Sequence, residues 1–354
     1  MGPRKRWCLA FALALGALYW PLTRAGEPLL RDAWFQTVTR ALATDARGLV
    51  PPAGKRWLGA NRPELPYSLY GIYELEARLG RPLAIASFYQ AWGDGAEHAF
   101  PRQVLDSMSK GGYLAMITWE PWLSAFERFQ GNNPPGSMQR IARGELDPFI
   151  RAWARDAVRF GRPLLLRPAH EPTNGWYGWA PEHGNPAADY RAFWARVHGI
   201  FQEEGARNVL LVWTPFGLRD HDWFPGADRV DWIGFDVFNY GSTSGDGAWI
   251  DFHARLTPFY QAYGDLGPNL LVAETATTSA GGDKTDWIRE ALRRLGANDF
   301  PKVRALVLFD QPHGQTPAGL PIDWSLAEVT GTYEALEREP GLFGQFTREM
   351  EDGR

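Results

Sequence analysis

The chain has 354 residues, of which 45% are hydrophobic and 22% charged, with a formal net charge of -4. That is enough for one large domain or two ordinary ones, and the charge balance gives no electrostatic reason to expect a nucleic-acid partner. A single cysteine, Cys8, excludes an intrachain disulfide and a cysteine-ligated zinc site, and the seven histidines show none of the paired helical spacings of a metal centre, so no metal and no other cofactor are expected.

In chain order, Arg4, Lys5 and Arg6 precede an apolar run from Trp7 to Trp20 that stops at Pro21. A basic n-region and an apolar h-region of this length read as an export signal, and the run is shorter than the roughly 20 residues that span a bilayer comfortably. Thr23-Arg24-Ala25-Gly26 is a poor cleavage site, so residues 1–26 are expected to be either a signal peptide or an uncleaved membrane anchor through residues 7–20. Either way the rest of the chain is expected in the periplasm or outside the cell. Residues 27–55 read as a linker or extension, with a helix around Asp32 to Thr44 and a breaker at Pro51-Pro52-Ala53-Gly54.

From Arg56 onward short apolar runs alternate with amphipathic stretches. Strands are expected at Trp57–Asn61, Pro82–Phe88, Tyr113–Trp119, Pro163–His170, Val209–Trp213, Trp232–Val237, Leu270–Glu274 and Ala305–Phe309. Helices are expected at Pro66–Leu79, Pro101–Ser109, Asp147–Phe160, Ala187–Glu204, Phe252–Tyr263 and Lys284–Leu295, with a short, poorly helical link between the fifth and sixth strands. Eight strands alternating with helices predict a (β/α)8 barrel, a single domain over residues 56–347. A doubly wound sheet would need a glycine-rich phosphate turn after its first strand, where this chain has Gly59-Ala60-Asn61-Arg62.

In such a barrel every strand's carboxyl end opens into one bowl. The predicted ends carry Asn61, Phe88-Tyr89-Gln90, Trp119-Glu120, His170-Glu171, Trp213, Asp236, Glu274 and Asp310. Two glutamates at the ends of the fourth and seventh strands suggest the carboxyl pair that cleaves glycosidic bonds, which for retention of configuration lies about 5–5.5 Å apart. The acid needs an apolar wall that raises its pKa, and Trp176 and Trp179 follow Glu171 closely. The nucleophile needs donors; Arg167, on the strand of Glu171, would reach Glu274 through the barrel interior. His170 would donate to the nucleophile or to a sugar hydroxyl. Glu120, in Trp119-Glu120-Pro121-Trp122, is a rival catalytic carboxyl or else would position sugar or close a loop, and Asp236 would orient His170 or bind sugar. The chain is rich in aromatics, with 17 Trp, 20 Phe and 12 Tyr, and Trp119, Trp176, Trp179 and Trp213 are expected to be platforms on which sugar rings stack.

At these residues the chain resembles glycoside hydrolase family 26, the retaining β-mannanases and mixed-linkage β-glucanases. The family's acid motif, Arg-Pro-x-His-Glu-x-x-Asn-Gly followed by a nearby Trp, stands here as Arg167-Pro168-Ala169-His170-Glu171-Pro172-Thr173-Asn174-Gly175-Trp176. Asn208–Pro215 looks like the family's fifth strand and Val230–Asp236 like its sixth; the likeness covers about residues 56 to 325. The resemblance implies Glu171 as general acid/base and Glu274 as nucleophile in a monomeric endo-β-glycanase acting on β-1,4 linkages of β-mannan or mixed-linkage β-1,3-1,4-glucan. One departure stands out. The family usually has Tyr two residues after the sixth-strand Asp, with its hydroxyl on the nucleophile. This chain has Phe238, which cannot donate a hydrogen bond, and the nearby Tyr240 would need a shift of register. Two other readings stay open: a non-catalytic polysaccharide-binding protein, and an envelope-anchored partner that trims the product of polysaccharide synthesis.

Overall fold

The structure is a computed structural model. It describes residues 46, 48–126, 133–245, 247–267, 269–316, 319–326 and 343–344. The export segment with Cys8, the expected helix around Asp32 to Thr44 and most of the chain beyond 326 lie outside the described residues. Among the described residues no helix is long and apolar enough to cross a membrane.

Eight parallel strands close into a barrel. In chain order the elements are β1 (Arg56–Asn61), α1 (Tyr70–Leu79), β2 (Ile85–Ala91), α2 (Arg102–Gly111), β3 (Leu114–Glu120), α3 (Ser137–Ala142), α4 (Asp147–Phe160), β4 (Leu164–Pro168), α5 (Ala187–Glu203), β5 (Val209–Trp213), β6 (Trp232–Asn239), α6 (Phe252–Tyr263), β7 (Leu270–Thr277), α7 (Lys284–Gly296) and β8 (Val303–Phe309). Strand β8 pairs back onto β1, from Trp57↔Ala305 to Asn61↔Phe309, so the expected (β/α)8 barrel is the architecture. The link from β5 to β6 holds only a 3₁₀ turn at Asp220–Trp223. The short helix α3 had no counterpart among the expected elements. Past β8 come a two-stranded hairpin, β9 (Gly314–Gln315) with β10 (Pro321–Ile322), and a short β11 (Phe343–Gly344) beside β1.

The helices form where the pattern asks for them. Helix α4 buries Ile150, Trp153, Ala154, Ala157 and Phe160 at helical spacing against the sheet. Asp251 caps α6 by accepting from the Ala254 amide at 2.7 Å, and Asp283 caps α7 by accepting from the Asp286 amide at 3.0 Å.

Alternation along the strands sorts side chains into two cores. Outward residues such as Ile117, Trp119, Leu166 and Trp213 join the layer between sheet and helices, while Trp57, Ile85, Leu114, Met116, Leu165, Leu210, Val212, Trp232, Leu271 and Ala273 fill the barrel. Trp57 and Trp232 stack across the interior with centroids 5.9 Å apart. Apolar filling ends one layer below the bowl. Above it, the register neighbours Tyr89, Thr118 and Arg167 and the paired Asp236 and Glu274 supply polar groups.

Glu274 reaches that layer through an irregularity. Phe235 pairs with Val272, but Asp236 pairs with Glu274, so Ala273 is an extra residue on β7. Strict alternation from Leu271 and Ala273 would send Glu274 outward. The bulge turns Glu274 inward, as bulges beside functional sites do. Gly234 makes room for it: a side chain there would start 2.5 Å from Thr214 Oγ1 and 3.1 Å from Ala273 Cβ.

Candidate active site

At the carboxyl ends of the strands lies a cleft of ≈ 1350 Å³ that contains Glu171 and Glu274 in its lining, along with Tyr89, Trp176, Tyr177, Phe238, Tyr240 and Trp324. Two residues 103 positions apart in sequence therefore share one cavity.

Arg167 is fully buried and organises the polar layer. Its Nε and Nη2 donate to Thr118 Oγ1 at 3.0 and 2.8 Å, its Nη1 donates to both oxygens of Asp236 at 2.8 and 2.9 Å, and its Nη2 also donates to Glu274 Oε1. Tyr89 donates its hydroxyl to the same oxygen of Glu274. Burial works against the guanidinium's charge, yet Asp236, Glu274 and Tyr89 outweigh it and hold Arg167 well above its ordinary range. Burial likewise raises Asp236 well above the usual carboxyl range, against the opposing pull of Arg167.

Glu171 sits where the fourth-strand motif leaves regular geometry. Ala169 and Glu171 both have left-handed backbone, φ 45° and 49°, a conformation that costs a non-glycine residue on the order of 1–3 kcal/mol and persists only when the surroundings enforce it. Here they do. The Ala169 amide donates to Trp119 O, the Ala169 carbonyl accepts from the Tyr190 hydroxyl, the His170 carbonyl accepts from Trp179 Nε1, and the Glu171 amide donates to Thr214 O. Asn174, three residues on, donates its amide to the Glu171 carbonyl and its Nδ2 to Oε2 at 2.8 Å, which explains the motif's Glu-x-x-Asn spacing. Burial pushes the Glu171 carboxyl up to about 7, aided by the charge of Glu274 and opposed by Asn174. Glu120 is pushed up to about 7 as well, chiefly by burial, and accepts from Trp122 Nε1 at 3.2 Å. Arg167 bonds Asp236 and Glu274 directly, while Glu171 and Glu120 have no bond to it and hold a proton up to about 7.

A family model described as glycosyl hydrolase family 26 matches residues 108–289, just over half of the chain. The chain belongs to that family. Relatives include Endoglucanase H of Acetivibrio thermocellus, 29% identical over 265 residues, which are 72% of this chain but 27% of that protein. Others are the mannan endo-1,4-beta-mannosidase of Bacillus subtilis, 28% identical over 30% of this chain and 31% of its own, and Beta-1,3-xylanase TXYA of a Vibrio species, 30% identical over 29% of this chain and 23% of its own. The matches thus span less than a third of each of these relatives. The Bacillus subtilis mannanase BCman has the same fold, with TM-score 0.60 at 18% identity over 87% of this chain and 91% of that one; so does a modular endo-beta-1,4-mannanase of Cellulomonas fimi, at 0.62 and 16% over 88% and 76%.

Within this family 26 barrel the expected site residues divide. Glu171, Glu274, His170, Trp176, Phe238 and Tyr240 line the cleft, and Arg167 and Asp236 lie beneath it in the buried ion-pair network. Three of the four expected stacking platforms are not platforms. Trp119, Trp179 and Trp213 are fully buried. Trp119 points outward from β3 and packs on Trp92, Phe149 and Trp153, and Trp213 packs on Phe224 and Tyr263. Trp179 stacks under Tyr177 with centroids 4.5 Å apart and a 7° angle between planes, propping up the loop. Of the four, Trp176 alone, 70% exposed, has a face open to the cleft.

His170 does not donate to the nucleophile, the first of its two expected roles: its Nε2 lies 2.8 Å from the Tyr177 hydroxyl, and the donors to Glu274 are Arg167 and Tyr89. Burial, with Arg167 nearby, keeps its pKa well below the ordinary histidine value, so the ring is neutral. Asp236 binds Arg167 and not His170. The strand-end residue Asp310 is held by Arg62 and the Leu326 amide.

Tyr89 was expected at a strand end but was given no role, and Tyr177 and Trp324 were missed. Tyr89 had a signal, since Ile85, Ser87 and Tyr89 share one face of β2. Trp324 had none: it follows the β9–β10 hairpin, where no periodicity operates, and meets Phe238 and Tyr240 with centroids 5.2 and 5.1 Å away.

Proposed function

We propose that the chain is a retaining endo-β-glycanase that hydrolyses β-1,4 linkages in a polysaccharide such as β-mannan or mixed-linkage β-1,3-1,4-glucan, with Glu171 as general acid/base and Glu274 as nucleophile. One observation carries the reading: a largely buried carboxyl raised to about 7 shares a cleft with a carboxylate that is held by a buried arginine. The names of the relatives, a glucanase, mannosidases and β-1,3-xylanases, support a substrate among β-linked glycans and leave its sugar open.

In the first step Glu274 attacks the anomeric carbon as the glycosidic C–O bond breaks, and Glu171 gives its proton to the departing oxygen. Both protein donors to Glu274 fall on Oε1, which leaves Oε2 to form the new bond. Esterification then removes the negative charge that helped raise Glu171. The acid weakens its hold on a proton at the moment it must become a base. It takes a proton from water, water adds to the anomeric carbon, and Glu274 leaves as carboxylate. Trp176 and the Phe238–Trp324–Tyr240 wall offer apolar faces to the sugar rings. The basic leader before Trp7 supports action outside the cytoplasm, and residues 56–347 form the catalytic domain of a monomer in this reading.

The test is release of reducing ends from glucomannan, galactomannan, lichenan, carboxymethylcellulose and β-1,3-xylan. Glu274→Ala is expected to abolish release from whichever glycan the wild type cleaves. Glu171→Ala is expected to lose polysaccharide activity yet retain most activity on aryl glycosides with good leaving groups, because those need little protonation. Equal loss on both substrate types would reverse or void the two roles. The kcat/KM profile is expected to fall as pH rises through about 7, where Glu171 gives up its proton; a profile flat to pH 9 would count against it. No release from any glycan would leave a binding protein.

A further inference from the structure

We infer that Tyr89, at the end of β2, is the positioning residue that holds the nucleophile, doing from the second strand what the sixth strand, with Phe238, cannot. The inference deepens the catalytic reading above and rests on it. Tyr89, Thr118 and Arg167 are register neighbours on three consecutive strands. Thr118 accepts twice from Arg167, which fixes the guanidinium, and Arg167 and Tyr89 then converge on one oxygen of Glu274. The phenol is itself held in place. The Arg167 guanidinium carbon lies 5.9 Å from its ring centroid, and the His170 ring meets it edge-on at 5.8 Å. Burial keeps the phenol well above its ordinary pKa, so it stays a donor across the working pH range.

On β6, the register that places Asp236 opposite Glu274 places Phe238 opposite Ala276, two residues further along. Its ring is committed to Phe309 and Trp324, with centroids at 5.4 and 5.2 Å. The arrangement gives Glu274 two donors of different kinds. Arg167 is charged and buried; Tyr89 is neutral and lines the cleft. With both on Oε1, the carboxylate cannot rotate to exchange its oxygens without breaking two hydrogen bonds. Oε2 is thereby kept aimed at the anomeric carbon, and this is a contribution to orientation more than to substrate affinity.

The experiment uses the full chain and compares wild type, Tyr89→Phe and Glu274→Ala. The Phe variant keeps the ring and its packing, and thermal melting checks that it does. Substrates are the polysaccharide that the wild type cleaves and a 2,4-dinitrophenyl β-glycoside of the matching disaccharide. Loss of a hydrogen bond to a charged group predicts a fall in kcat of about 10- to 100-fold with KM changed less than about threefold. The acid limb of kcat/KM is expected to move to higher pH, because a carboxylate stripped of a donor takes up a proton more readily. A purely structural role would leave that limb where it is. The rate at which a 2-deoxy-2-fluoro aryl glycoside labels Glu274, followed by mass spectrometry, is expected to drop by the same factor as kcat. If wild type and Glu274→Ala behave as proposed while Tyr89→Phe keeps wild-type kcat and acid limb, the inference about Tyr89 falls alone. If the wild type cleaves nothing, the catalytic reading falls first. A Tyr89→Phe loss that tracks a lowered melting temperature, with the acid limb unmoved, also overturns it.

Discussion

At the scale of the residue, identity and exposure part company. Tryptophan next to a catalytic motif invites a reading as a sugar platform, yet in this chain the residues that meet that description are mostly walls and pillars. The reason is alternation. Trp119 and Trp213 sit at outward positions of their strands, and a large apolar side chain there is worth more under a helix than in water. Residue type alone does not reveal facing, whereas parity along the strand does: Thr118 and Glu120 flank Trp119 and point the other way. The two classes of tryptophan can be told apart by measurement. Trp119→Ala is expected to cost about 3–5 kcal/mol of stability, read as a lowered denaturation midpoint with KM unaltered at a temperature where the variant is folded. Trp176→Ala, at an exposed rim position, is expected to leave the melting temperature unchanged and raise KM for polysaccharide about fivefold, the loss of roughly 1 kcal/mol of aromatic contact. The opposite pattern in either variant would reassign it.

At the scale of the element, much was legible, and what was not has a single physical origin. Strands β1 to β8 and six of the helices fall where apolar runs and amphipathic stretches put them, because two-sided burial in a parallel sheet writes continuous apolar runs into the sequence. The Arg-Pro-x-His-Glu-x-x-Asn motif could be read because its spacing is local: Asn174 serves Glu171 within one turn. The register of β7 could not be read. Ala273 looks like any strand residue, and nothing in the run from Leu270 to Thr277 announces that one of its members is extra. The bulge is created by its neighbours, by β6 on one side and by the space that Gly234 leaves. Gly234→Ala therefore carries a specific expectation. Its new methyl would press on Thr214 and Ala273, costing about 1–3 kcal/mol by overpacking, and would shift the bulge that aims Glu274. The expected outcome is a loss of kcat well beyond what the modest drop in melting temperature explains. A variant that is destabilised but fully active in its folded fraction would separate the glycine from the site.

At the scale of the whole molecule, the barrel divides its labour along its axis, with an apolar interior that stabilises and a polar rim that acts, and the rim is maintained at the expense of stability. Glu171 and Glu120 both have carboxyls raised to about 7 from an ordinary 4.5, chiefly by burial. Below about pH 4.5 each is protonated in the folded and the unfolded chain alike, so neither affects stability. Between there and about 7 the folded protein binds protons that the unfolded chain has released, and stability falls as pH rises. Above about 7 the penalty is complete, on the order of 3 kcal/mol for each carboxyl shifted this far. Glu171→Gln removes the ionisation and keeps the shape and the contact to Asn174, whose Nδ2 can donate to the amide oxygen. The variant is expected to be catalytically impaired on polysaccharide and yet to melt higher than wild type at pH 8, with the two melting temperatures converging as pH is lowered to 4.5. Melting curves at pH 4.5, 6 and 8 decide it. A gap that stays constant with pH would mean that Glu171 is not held protonated by its surroundings, and the assignment of that carboxyl as the proton donor would lose its physical basis.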